Sequence, residues 1–181
     1  QQARHIITLE DPIEFIHHSQ QSLIQQREIG LHCDSFSLGI KAALREDPDV
    51  ILLGELRDSD TIRQALTAAE TGHLVLATLH TRGAAQAVDR LVDVFPAEEK
   101  QLVRTQLAGS LKAVIAQRLV PSIAGSRIGL FEVLIATPGI TNLIREGKMH
   151  QIPALLQTGA QAGMQTFEQS RLARQAAGLI E

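Results

Sequence analysis

The feature that most constrains this chain is a pair of apolar runs, at residues 50–53 and 74–79, separated by a segment of helix length. A half-exposed strand alternates apolar and polar residues. A run without alternation that carries β-branched members reads instead as a strand covered on both faces, the habit of parallel sheets. Pro48 and Gly54 bound the first run, and Gly72 precedes the second. Between them, at residues 60–70, Ile62, Leu66 and Ala69 recur at helical spacing. The spacing predicts a βαβ unit with a right-handed crossover.

The same reading extends outward. Residues 6–9 form another strand-like run, and Ser35 is placed to cap a helix reaching Arg45, with Phe36, Ile40 and Leu44 on one face. Pro96, Glu98 and Glu99 suit the start of a further helix, whose apolar stripe runs through Val103, Leu107, Leu111, Val114 and Ile115. Residues 127–135 read as a strand, and short helices follow from Pro138 to near Ile180. The expected class is α/β: a three-layer core with a mostly parallel sheet over residues 1–136, then a helical region over 137–181. The softest boundary falls at residues 122–126, where Ile123 stands alone among small residues.

Composition narrows the function classes. At 181 residues the chain has the length of one domain with a sizeable core. A net charge of −3 leaves no basic footprint of the kind nucleic-acid binders carry, so no nucleic-acid partner is expected. The single cysteine, Cys33, excludes an internal disulfide and a thiol-based metal site; it reads as a small, partly buried residue in a reducing compartment. No stretch approaches the roughly 20 apolar residues of a membrane span, and the first ten residues lack the order of a signal peptide. A cytoplasmic protein, peripheral to a membrane at most, is the expectation. Because the chain starts at Gln1 and enters a strand at once, it reads as part of a longer protein.

Ligands of parallel α/β sheets bind beyond the C-terminal strand ends, so polar residues just after each apolar run are the candidates for chemistry. Glu10, Asp11 and Glu14 follow the first run, Glu55 the second, and His80 and Thr81 the third. Phosphoryl transfer needs carboxylates that hold magnesium-bound water and orient the attacking water, and this edge supplies them. His73 and His80 cannot share one zinc ion, because seven residues of strand span roughly 23 Å.

Three segments carry a family resemblance. Thr8-Leu9-Glu10-Asp11-Pro12-Ile13-Glu14 resembles the Asp box of the type II/IV secretion ATPases. Residues 45–58, with Asp49-Val50-Ile51-Leu52-Leu53-Gly54-Glu55 at their centre, resemble the Walker B segment, and Thr71-Gly72-His73 through Leu79-His80-Thr81 the His box. Order and spacing are similar to those of the branch that retracts type IV pili. The likeness continues through Asp93-Val94-Phe95-Pro96, Asn142-Leu143-Ile144-Arg145-Glu146 and Gly163-Met164-Gln165-Thr166.

The resemblance implies a RecA-like P-loop NTPase core that hydrolyses ATP with Mg2+ in a hexameric homo-oligomer, acting on a pilus or secretion platform at the inner membrane. It assigns Glu55 as the carboxylate polarising the lytic water and Glu10 as its assistant. Asp11, Glu14 and Thr81 are associated with nucleotide and magnesium, and His80 with sensing the γ-phosphate. His73 and Arg57 have coupling or sensor roles, and Asn142, Leu143, Ile144, Arg145 and Glu146 form the motor motif. Gly54 stands where many P-loop ATPases place an aspartate, so magnesium is expected to have no direct protein ligand. Of the basic candidates Arg57, Arg63 and Arg90, each has a solvated or sheet-edge role as the simpler expectation.

Two departures qualify this. Where the retraction motif reads Ala-Ile-Arg-Asn-Leu-Ile-Arg-Glu, this chain has Gly139 and Thr141 in place of the alanine and first arginine. The chain also contains no Gly-x-x-x-x-Gly-Lys-Ser/Thr loop, so by itself it is expected to bind ATP poorly and not turn it over. The competing expectation is a non-catalytic paralogue acting as an interaction module.

Overall fold

Four parallel strands, β1 (His5–Glu10), β2 (Leu23–Glu28), β3 (Val50–Leu53) and β4 (Leu74–Ala77), form one sheet in the order β2-β1-β3-β4 in the computed structural model, which describes residues 2–181. Ile7 pairs with Ile51 and Leu9 with Leu53, so four fully buried side chains share one face. Helices α1 (Phe36–Ala43) and α2 (Ser59–Glu70) cover that face, adding Ile40, Ala43, Ala65 and Ala68 to the core. Each large apolar side chain buried there contributes about 1.5–3 kcal/mol. Both helices begin at caps legible in the sequence: Ser35 accepts from the Leu38 N–H and Asp58 from the Thr61 N–H.

The run at 74–79 departs from expectation. It forms the outer strand of this sheet, ends at Ala77, and leaves Leu74 and Leu76 about half exposed rather than covered on both faces. Strand β2 was not anticipated, because Gln25, Gln26, Arg27 and Glu28 give it neither an apolar run nor alternation. It occupies the opposite edge of the sheet, where polar residues are tolerated.

These elements form one compact unit ending at Leu79, and residues 80–181 form a second; this grouping divides the expected 1–136 core after β4. The second unit contains α3 (Ala84–Asp93), α4 (Lys100–Ser110), the antiparallel strands β5 (Ala113–Pro121) and β6 (Arg127–Ile135), then α5 (Pro138–Arg145), α6 (Ile152–Thr158) and α7 (Phe167–Ala176). The apolar stripe expected to be one helix is in fact two elements, since α4 stops at Ser110 and Val114 and Ile115 belong to β5. Residues at 103, 107, 111 and 115 keep a helical period by accident of a following strand, an ambiguity that periodicity cannot resolve. The expected soft boundary at residues 122–126 is the β5–β6 turn, closed by the Ser122 N–H on the Ser126 carbonyl at 2.8 Å.

Short helices after Pro138 are present as anticipated. Helix α5 ends in a Schellman closure: Gly147 N–H donates to the Ile144 carbonyl and Lys148 N–H to the Leu143 carbonyl. Gly147 has φ +71°, and a Cβ there would lie 3.1 Å from the Arg104 guanidinium carbon. Gly147→Ala is therefore expected to destabilise the fold by about 1–3 kcal/mol, read from denaturant unfolding; an unchanged midpoint would show that the turn relaxes freely.

Candidate active site

Glu10 and Glu55 leave neighbouring parallel strands at their C-terminal ends. The Gly54 N–H donates to the Leu9 carbonyl at 2.7 Å, and a Cβ on residue 54 would lie 3.3 Å from both Glu10 Cα and Leu9 O. Glycine at this position therefore permits the close approach of the two strand ends. Thr78, one residue beyond β4, donates its hydroxyl to the Gly54 carbonyl, and Leu56 N–H donates to the Thr78 carbonyl at 3.1 Å. The ends of β1, β3 and β4 are thus tied to one another.

The side chains at this edge are also oriented. Glu10 Oε1 accepts from Thr8 Oγ1 at 2.6 Å and from Gln26 Nε2 at 2.9 Å. Arg57 Nε donates to Glu55 Oε2 at 2.5 Å, and its Nη1 lies 3.9 Å from Asp11 Oδ2. Arg57 is exposed, so these pairs add little stability; their consequence is the placement of Glu55 and Asp11. Arg57 stays exposed, in keeping with a solvated or sheet-edge role, and also pairs with two of the candidate acids. Glu14 is exposed on the loop after Asp11.

His73 lies at the other end of β4. Its Nδ1 is 3.0 Å from the Ala68 carbonyl and 3.3 Å from Thr71 Oγ1, so its ring closes the C-terminal turn of α2. Among the described residues no cluster of His, Cys, Asp and Glu could hold a metal ion directly. The donor chemistry of Glu10 and Glu55 fits carboxylates that accept from magnesium-bound water.

In the second unit His80, Thr81 and Arg82 line an open groove with Asp89 and Asp93. Burial, and secondarily the Asp93 charge, push the Asp89 carboxyl up. The loop ends at α3, whose N-cap, Gly83, has no side chain to offer. Glu132 of β6 supplies the missing acceptor: its Oε1 takes the Ala84 N–H at 2.7 Å. A carboxylate at a helix N-terminus also meets the positive end of the dipole. Glu132→Ala is expected to cost about 1–2 kcal/mol in thermal unfolding; a loss below 0.3 kcal/mol would mean water replaces it without penalty.

The sequence assigns no individual role to Thr8, which it places only as a member of the Asp-box segment, and none to Gln26, Thr78 or Glu132. Thr8 was findable, since residues two apart on a strand share a face with Glu10. Gln26 and Glu132 had no signal, because each reaches its partner across long sequence separations.

Residues 1–128 match the type II/IV secretion system protein family. The chain belongs to that family. Among relatives of this family member, the Escherichia coli K12 protein YggR, described as uncharacterised, is 70% identical over 166 residues, covering 92% of this chain and 51% of YggR. The twitching motility protein of Neisseria gonorrhoeae is 58% identical over 180 residues, 99% of this chain and 48% of the relative. A solved structure of the pilus retraction motor PilT with bound ADP superposes with a TM-score of 0.90 at 46% identity, covering 99% of this chain and 50% of PilT. The chain spans about half the length of the curated relatives it matches. The expected RecA-like α/β fold and the resemblance to this family of secretion ATPases stand.

For this secretion-family chain, burial divides residues 142–146, the segment that the resemblance suggests as a motor motif. Ile144 is fully buried, whereas Asn142, Arg145 and Glu146 are exposed and Leu143 is half-buried. Glu146 is held by Lys148 Nζ at 2.7 Å and by Asn142 Nδ2 at 3.0 Å. Those contacts, Lys148 foremost, pull its carboxyl below the ordinary range. The Arg145 carbonyl accepts from Gln101 of α4 at 3.3 Å.

Proposed function

We propose that the full-length gene product is an ATP-hydrolysing motor of a type IV pilus or related secretion system. The observation that carries this reading is the pair of oriented carboxylates at adjoining strand ends, Glu10 held by Thr8 and Gln26, Glu55 held by Arg57. Catalysis of phosphoryl transfer is mostly positioning and charge neutralisation, which such a pair serves. Glu55 acts as the base that polarises the lytic water; Glu10, with Asp11 and Glu14 nearby in sequence, holds the water shell of magnesium. Magnesium supplies neutralisation of phosphate charge when bound. His80 senses the γ-phosphate and Thr81 is associated with nucleotide and magnesium, while His73 and Arg57 couple the site to its surroundings.

The family frame extends the proposal to a homo-oligomeric ring, a hexamer with each site shared between subunits. Residues 1–136 belong to the RecA-like ATPase core and residues 137–181 form the helical appendage, on which Asn142, Arg145 and Glu146 present the motor surface to a platform protein at the inner membrane. The proposed location is cytoplasmic or peripheral at the inner membrane, where the family frame puts such a motor; no described helix is long and apolar enough to cross a membrane. The relatives named for twitching motility and pilus retraction support the pilus as the output. Nucleic acid is not among the proposed partners.

The test is phosphate release from ATP by the full-length gene product, with magnesium and with chelator. Turnover that requires magnesium supports the motor. No turnover under conditions where the ring assembles would leave the interaction module as the better account. The isolated 181-residue chain, lacking a P-loop, is expected to show none.

A further inference from the structure

We propose that Gln26 is a positioning residue through which Glu10 and the loop at residues 12–21 are held as one unit. The proposal rests on the reading of Glu10 as part of the hydrolytic site. One amide makes three contacts: its Nε2 donates to Glu10 Oε1 at 2.9 Å and to the Phe15 carbonyl at 2.9 Å, and its Oε1 accepts the His17 N–H at 2.7 Å. The orientation is over-determined. A flipped amide would face two acceptor oxygens with its own oxygen and the His17 N–H with its NH2.

Gln26 can do this because it lies opposite Thr8 in the β1–β2 register, on the strand next to the one that ends in Glu10. Thr8 Oγ1 and Gln26 Nε2 both bind Oε1 of Glu10, so the carboxylate is fixed by one oxygen, leaving Oε2 for the reaction. Neighbouring contacts bind the loop to the same strand: Ile13 N–H donates to Glu28 Oε2 at 3.1 Å, and Ile24 N–H to Ser19 Oγ at 3.0 Å. Phe15 packs edge-on against His17 with ring centroids 5.1 Å apart. A displacement of Phe15 or His17 therefore strains the same amide that sets Glu10. Second-sphere partners of this kind commonly change activity 10–100-fold when removed.

The test compares the full-length gene product with its Gln26→Leu and Thr8→Val variants, alongside Glu10→Gln. Gln26→Leu is expected to lower kcat about tenfold with KM for ATP within about twofold, and to speed hydrogen exchange of the His17 amide about tenfold. Thr8→Val removes the other donor to Oε1 without touching the loop, so it should lower kcat while His17 exchange stays unchanged. Faster His17 exchange with normal kcat in Gln26→Leu would overturn the proposal, reducing the amide to a loop staple. A rise in KM at constant kcat would overturn it too. Full turnover in Glu10→Gln would instead remove the assignment of Glu10 and everything resting on it, a result distinct from a failure of Gln26 alone.

Discussion

Glu55→Gln in the full-length gene product is expected to lower ATP turnover by about 10²–10⁴-fold, the range that a positioned general base supplies. Glutamine keeps the length and planar end of the side chain, so the fold around Gly54 and the Arg57 contact geometry need not change. What is lost is the proton acceptor and the negative charge that polarises water. ATP affinity should stay within about threefold, a shift below about 0.7 kcal/mol, because the role proposed for Glu55 is on water rather than on the phosphates already in the ground state. Steady-state phosphate release together with equilibrium ATP binding separates the two effects. Turnover reduced only severalfold would move the base elsewhere, Glu10 being an alternative at this edge.

Ile144→Ala carries the second large effect, an expected loss of about 2–5 kcal/mol of folding free energy. Its side chain has 0% exposure, on a helix that packs against α4, and truncation leaves a cavity that the neighbouring helices can fill only in part. For a chain of this size the loss corresponds to a fall in Tm of about 4–20 °C. Arg145→Ala, one residue on but exposed, should stay within about 0.5 kcal/mol. Thermal unfolding of both variants checks the contrast. Equal shifts would show that the motif is not divided between core and surface as its burial indicates.

That contrast illustrates what pattern reading can and cannot reach. Asn142 to Glu146 form one motif in sequence, yet only packing shows that Ile144 is buried while Asn142 and Glu146 make a surface pair. The caps at Ser35 and Asp58 are local, so Ser35 could be read directly and was. Strand β2 could not, because its polar residues satisfy an edge position that carries no hydrophobic signature. The stripe from Val103 to Ile115 misled for the opposite reason: two elements in succession reproduced one period.

By itself the sequence determined the βαβ pattern, the C-terminal run of short helices, and the placement of Glu10, Glu55 and His80 just after strands, since all of these follow from local spacing and from the topology of parallel sheets. Only the tertiary structure decided which donors orient those acids. Gln26 reaches Glu10 from 16 residues away, and Glu132 reaches the α3 terminus from 48. Such contacts depend on strand register and on the order of strands in a sheet, which periodicity along the chain does not encode.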